Sequence, residues 1–281
     1  MSNVSVNRRA LEIVQRLIDD SDKYGVMVRR TENGATVVDA GVSVRGGYRA
    51  GEAVTEICLG GFGHAYVSNG QYGELSIPAV FVSTDQPAIA TLASQFAGWR
   101  IKVGDFFAMG SGPARALALE PQRLYEQVGY RDSSDVAVIV LETDRLPAEE
   151  VATYIADKCG VAVDHLYAVV TPTSSLAGSV QISGRVVETG VHKFHTLGLD
   201  PKTILHGCGQ APVAPLHPKT ARAMGRTNDV ILFGGQAYYT VSCDDDETLA
   251  KVVEQAPSQP QEIMDDPSTT SSKPPTSTST R

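Results

Sequence analysis

A chain of 281 residues, 42% hydrophobic and 20% charged, holds enough apolar material for one large or two modest domains with a sizeable core. Its formal net charge of -8 excludes sequence-independent nucleic-acid binding, which needs a surplus of clustered Lys and Arg, and leaves a small molecule as the expected partner. The longest apolar runs, such as Val136 to Leu141, are too short to span a bilayer, and no apolar signal region precedes Arg8 and Arg9, so the expected location is the cytoplasm.

Leu11, Val14, Leu17 and Ile18 recur at helical spacing and predict an amphipathic helix from about Asn7 to Tyr24. A hairpin follows, with Val26 to Arg30 and Thr36 to Val38 flanking Asn33-Gly34, a dipeptide suited to positive φ angles. Beyond a glycine-dense stretch, Ile77 to Ser83 reads as a strand, and Asp85 with Pro87 opens a helix that Gly98 stops. Val136 to Leu141, a helix from Pro147 to Cys159, Leu166 to Val170 and a long helix from about Ser174 to Leu197 form a β-α-β-α succession, which predicts an α/β fold with partly parallel strands. A last hairpin, Val230 to Phe233 and Ala237 to Val241 around Gly234-Gly235, precedes an acidic helix near Glu247 to Glu254. From Pro257 to Arg281 the chain is rich in Pro, Ser and Thr and reads as a disordered tail.

Several segments are candidates for chemistry. From Ser175 to Gly190 small residues crowd a helix where large apolar ones would normally pack, with Ser175, Ser179 and Ser183 four apart; such a face is expected to border a cleft. Arg185 and Glu188, three apart, share a helical face. They read either as a solvent-exposed ion pair worth about 0.2–0.5 kcal/mol or as a carboxylate, kept ionised at neutral pH by its guanidinium neighbour, that deprotonates a water. His192 and His195 extend the stripe at a spacing that could present three zinc ligands with Glu188, or simply place two imidazoles against a helix C-terminal dipole. Gly110-Ser111-Gly112 before Pro113, with Arg115 behind, is either an anion-binding nest of free N–H groups or a plain loop-to-helix turn. Thr227 and Asn228 stand at a strand entrance, as binding rim or turn chemistry.

The sequence lacks a G-K-[ST] after its glycines and a G-x-S-x-G elbow, so neither a P-loop nor a serine-hydrolase triad has an anchor. Cys58, Cys159, Cys208 and Cys243 form no CxxC pair and read as reduced thiols. Cys208 has His206 two positions away, but no third orienting group is visible to make a nucleophile of it.

Four segments together resemble the methenyltetrahydromethanopterin cyclohydrolase family: PAVFVSTDQPAIATLASQFAGW from Pro78, VGDFFAMGSGPARALAL from Val103, TPTSSLAGSVQISGRVVETG from Thr171 and AMGRTNDVILFGG from Ala223. The resemblance runs in order from Val6 to about Val253. It implies a two-domain α/β subunit of mixed sheets and helices with the substrate pocket between the domains, divided as 1–93 and 94–256. It also implies a homotrimer, no metal and no organic cofactor, and a role in one-carbon metabolism of methanogenic or methylotrophic type. The reaction implied is hydrolysis of the methenyl bridge of a tetrahydromethanopterin carrier to the 5-formyl form. By the family's Arg-x-x-Glu pair, Glu188 would orient and deprotonate the water and Arg185 would hold that carboxylate. Gly110, Ser111, Gly112, Arg115, Thr227 and Asn228 are candidates for holding the pterin. Relatives are expected to continue with a structured segment where this chain carries residues 257–281. The alternatives are a zinc-dependent amidohydrolase built on Glu188, His192 and His195, and a truncated pterin-binding subunit without turnover.

Overall fold

The computed structural model describes residues 4–242 and 245–257. Two sheets organise them. The first has six strands in the order β1-β2-β8-β7-β6-β5, where β1 is Met27–Arg30, β2 Thr36–Asp39, β5 Trp99–Val103, β6 Phe106–Ser111, β7 Ala137–Glu142 and β8 Leu166–Val170. The β2, β8 and β7 strands run parallel, and the hairpins β1-β2 and β5-β6 add antiparallel edges. The fold is therefore α/β with a mixed sheet.

Alternation explains why the central strands read as unbroken apolar runs. On β7, Val138 and Val140 face a layer made by Val14 and Leu17 of helix α1 (Val6–Asp19) and by Val54 and Ile57, while Ile139 and Leu141 face Val151 and Ile155. A single-turn helix α2 (Ser21–Tyr24) follows α1, and Val54 and Ile57 belong to α3 (Tyr48–Cys58). The long helix expected from Asn7 to Tyr24 is thus α1 and α2, and the glycine-dense stretch conceals α3.

The second sheet is antiparallel, with strand order β10-β9-β4-β3: β3 is Gly63–Tyr72, β4 Leu75–Thr84, β9 Ile204–Pro212 and β10 Gln236–Val241. Among the connections of the first sheet, α4 (Arg115–Ala118) and α5 (Gln122–Val128) lie between β6 and β7, and α6 (Glu149–Cys159), which carries Val151 and Ile155, lies between β7 and β8. Strand pairing crosses position 93 in both sheets, since β2 pairs with β8 and β4 with β9.

Two further expected elements differ. The helix predicted over 174–197 is broken at Gly184 and Arg185 into α7 (Leu176–Ser183) and α8 (Val186–Thr196). Val230 to Phe233 is the end of a helix, α9 (Thr220–Gly234), and not a hairpin strand; β10 pairs with β9 instead. Ala223, Thr227 and Ile231 repeat every four residues on the face of α9 turned to the protein, so helical burial decided what a four-residue apolar run left ambiguous. A last helix, α10 (Asp246–Gln255), matches the acidic helix read from sequence. The expected tail, from residue 258 onward, lies outside the described residues. Among the described residues no helix is long and apolar enough to cross a membrane.

Candidate active site

The break between α7 and α8 positions the candidate residues Arg185 and Glu188. Gly184 sits so close to α3 that a Cβ there would meet Thr55 Cγ2 at 2.5 Å. Arg185 then takes the N-cap position of α8, with φ -86° and ψ 3°, which places Glu188 in the first helical turn. That turn carries unpaired N–H groups and the positive end of the helix dipole, an environment that favours an anion.

Arg185 is buried and engaged at both of its terminal nitrogens. Its Nη1 donates to the Gln95 carbonyl at 2.5 Å, and its Nη2 donates to Ser111 Oγ at 3.1 Å and Gln181 Oε1 at 3.0 Å. None of these partners is Glu188. The expected grip of the guanidinium on the carboxylate is absent among the described residues, and Arg185 acts on Glu188 through space.

Gln95 ends a π-helix (Ala88–Gln95), a form often found at functional sites. Its last carbonyls lack helical partners and are met by side chains: Arg115 Nη1 donates to Leu92 and Ser94, Tyr125 Oη to Ala93, and Arg185 to Gln95. Two buried arginines therefore converge on this one helix end. Around them Gln95 Oε1, Gln181 Nε2 and Arg115 Nη2 are buried with no hydrogen-bond partner among the described residues. Such groups are uncommon in native interiors and cluster here beside the one buried carboxylate of the region.

Glu188 is 7% exposed, and no hydrogen bond or ion pair to a described residue engages its carboxylate. Burial pushes its carboxyl up to about 7, against the opposing pull of Arg185 and Arg115. This corrects the expectation of a carboxylate fully ionised at neutral pH: desolvation outweighs both guanidinium groups. Nearby, Tyr239 donates from its hydroxyl to the Val187 carbonyl at 2.8 Å, and burial first, then the Glu188 charge, hold its phenol protonated.

The remaining candidates divide. Ser111 and Arg115 come to the Arg185 cluster, as just described. The free-amide nest does not form: Gly112 N–H donates to the Ser94 carbonyl, Ala114 N–H to Val138 and Arg115 N–H to Gly112. Gly110 is paired within the sheet, its Cα opposite Leu141. Thr227 donates its hydroxyl to Met224 of its own helix and Asn228 is exposed, and neither hydrogen-bonds Arg185 or Glu188. Nor does the serine stripe of α7 line a cleft, because Ser179 and Ser183 donate to the Ala214 and Pro212 carbonyls and Ser175 caps the helix. His192 stacks on Phe96 with ring centroids 4.9 Å apart, while His195 meets Gln127. Among the described residues no group of three or more His, Cys, Asp or Glu side chains is placed to hold a metal ion.

Sequence reading missed Gln95, Gln181 and the engagement of Arg115. Gln181 lies four residues before Arg185, a spacing that signals a shared face, but the π-helix that delivers Gln95 has no comparable signature.

Glu188 is thus a buried carboxyl raised to about 7 beside two arginines, with no hydrogen-bond partner among the described residues. The chain belongs to the family described as cyclohydrolase (MCH), whose model matches residues 5–268. A relative named methenyltetrahydromethanopterin cyclohydrolase, from Methanothermobacter thermautotrophicus, is 47% identical over 262 residues, covering 92% of this chain and 82% of its own. Proteins of the same name from Methanocaldococcus jannaschii and Methanospirillum hungatei are 47% and 50% identical, covering 91% and 86% of this chain and 80% and 77% of theirs.

Proposed function

We propose that this chain hydrolyses the methenyl bridge of methenyl-tetrahydromethanopterin to the 5-formyl form, with Glu188 as the group that takes the proton of the attacking water. One observation carries this reading: a buried carboxyl at about 7 with no protein hydrogen-bond partner among the described residues, beside two arginines engaged elsewhere. A base whose pKa lies near the working pH is both available and strong enough.

The substrate's amidinium carbon is already electrophilic, so no further activation is required. Water adds to it, and its proton passes to Glu188. In the resulting carbinolamine the C–N bond to the second nitrogen breaks as that nitrogen takes a proton and the hydroxyl gives one up, so the carbon remains on the first nitrogen as a formyl group, and the proton held by Glu188 is released. The balance is substrate cation plus water giving the formyl product and one proton. The cation also favours ionisation of Glu188 as it arrives, which supplies the base when it is needed. Arg185, fixed by Gln95, Ser111 and Gln181, sets the field around the carboxylate and stands ready for the developing oxygen.

In this reading Ser111 and Arg115, which reach the Arg185 cluster, back the reacting carbon, and the exposed Asn228 is the candidate contact for the outer part of the pterin. The same reading carries a cytoplasmic homotrimer, for which light scattering on the purified protein is expected to give three copies.

The deciding experiment is loss of the methenyl absorbance by wild type and Glu188→Gln, each after chelator treatment. Wild type is expected to turn over and the variant to lose roughly 10²–10⁴-fold. Full activity in Glu188→Gln overturns the mechanism, and binding without turnover by wild type identifies a non-catalytic subunit.

A further inference from the structure

Contacts on either side of Glu188 fix where its carboxylate faces. Arg185 lies one turn before it on α8 and His192 one turn after, so the three share a face. Arg185 reaches the Gln95 carbonyl, and His192 stacks on the ring of Phe96. Both flanking contacts thus go to two adjacent residues at the end of the π-helix, and Glu188 is enclosed between α8 and that segment.

The enclosure has one soft side. Arg185, Arg115, Gln95 and Glu188 are all buried, whereas Phe96 and His192 are only half-buried. Their rings lie nearly parallel, 15° apart. Arg115 adds its guanidinium 5.2 Å from the Phe96 centroid, which fixes that ring from the protein side. His192 has no such hold: no hydrogen bond from its ring to a described residue accompanies the stack, so a change of side-chain rotamer releases it.

We propose that the Phe96–His192 stack is the gate over Glu188, and that the flat pyrimidine ring of the substrate's pterin takes the place of the imidazole on Phe96. This rests on the proposed function, since a reduced pterin with a flat pyrimidine ring and a cationic amidinium is the ligand that reading supplies. Phe96 is then a substrate-contacting residue and His192 the ring that competes with substrate for it. A gate that is closed in the free protein lowers apparent affinity by the fraction of time it is open. The two halves of the stack therefore have opposite effects when removed, which mere packing would not produce.

The test compares kcat and KM for wild type, Phe96→Leu, Phe96→Tyr and His192→Ala, each first verified as folded by circular dichroism. Loss of one ring-on-ring contact is expected to raise KM roughly ten- to a hundredfold in Phe96→Leu with little change in kcat. Phe96→Tyr restores wild-type KM. In His192→Ala the KM falls. A KM that rises in His192→Ala, or that stays at the wild-type value in Phe96→Leu, overturns the gate. Equilibrium binding of a reduced pterin to the same proteins repeats the comparison without turnover. An inactive wild type then defeats the proposed function, while the order of the binding constants still judges the gate.

Discussion

The two helices on either side of Gly184 and Arg185 both bury polar side chains and treat them in opposite ways. In α7 every polar side chain but one group has found a partner: Ser175 caps the helix, and Ser179 and Ser183 donate to the Ala214 and Pro212 carbonyls. Only Gln181 keeps an orphan atom, its Nε2, and it is the residue that reaches across to Arg185. In α8 the first buried polar side chain, Glu188, has none of these hydrogen bonds and a carboxyl raised to about 7. Under the proposed function, α7 is the packing helix, whose serine hydrogen bonds close, and α8 the chemical one, whose carboxylate stays open.

The sharpest way to break that distinction is on the packing side. A Cβ at Gly178 would lie 2.0 Å from the Pro172 carbonyl oxygen, a backbone atom that cannot turn aside. Gly178→Val is expected to yield little or no folded protein, because overpacking against backbone has no cheap relief. Soluble yield and circular dichroism check this, and a folded, active variant would show that the α7 face has room after all.

The next effect belongs to the chemical side and has a definite sign. A carboxyl ordinarily near 4.5 but at about 7 when folded binds its proton more tightly in the native state. Its contribution to stability is complete below about 4.5 and is lost as pH rises through about 7. Glu188→Gln removes that loss. The variant is expected to match wild type near pH 4.5 and to exceed it at pH 8 by on the order of 3 kcal/mol, read from denaturant midpoints across that range. A group that is stabilised by the fold, as a structural ion pair is, would give the reverse order.

How far the sequence disclosed this architecture follows from the range of the forces involved. The β7-α6-β8 unit was legible because local signals agree: apolar strand runs, and a helix stopped by Gly160 at φ 69°. The hairpin at Gly34 was legible for the same reason, with φ 100° at the glycine. What stayed hidden was set by tertiary contacts. Nothing in Gly184-Arg185 alone ends a helix; the close approach of Thr55 does, and so does the pull of the Gln95 and Ser111 side of the protein on the guanidinium. The π-helix likewise depends on Arg115, Tyr125 and Arg185, all distant in sequence, to occupy its terminal carbonyls. Glu188 could be singled out from its spacing to Arg185, but its raised pKa could not, because burial is a property of the assembled layers.

The smallest expected effect isolates the two roles most cleanly. Ser183 Oγ donates to the Pro212 carbonyl at 2.7 Å, and both are buried at the end of β9. Ser183→Ala leaves that carbonyl without its donor and costs about 1–3 kcal/mol, the penalty for a buried polar atom that has lost its partner. Because the hydroxyl points to β9 and makes no bond to Arg185 or Glu188, the loss should appear in the melting temperature and not in kcat. Serine and glutamate stand five positions apart, on helices separated by Gly184 and Arg185. If removing the hydroxyl lowers kcat as well as stability, then the strand end it holds is part of how Glu188 is positioned, and the division between a packing helix and a chemical helix fails at their junction.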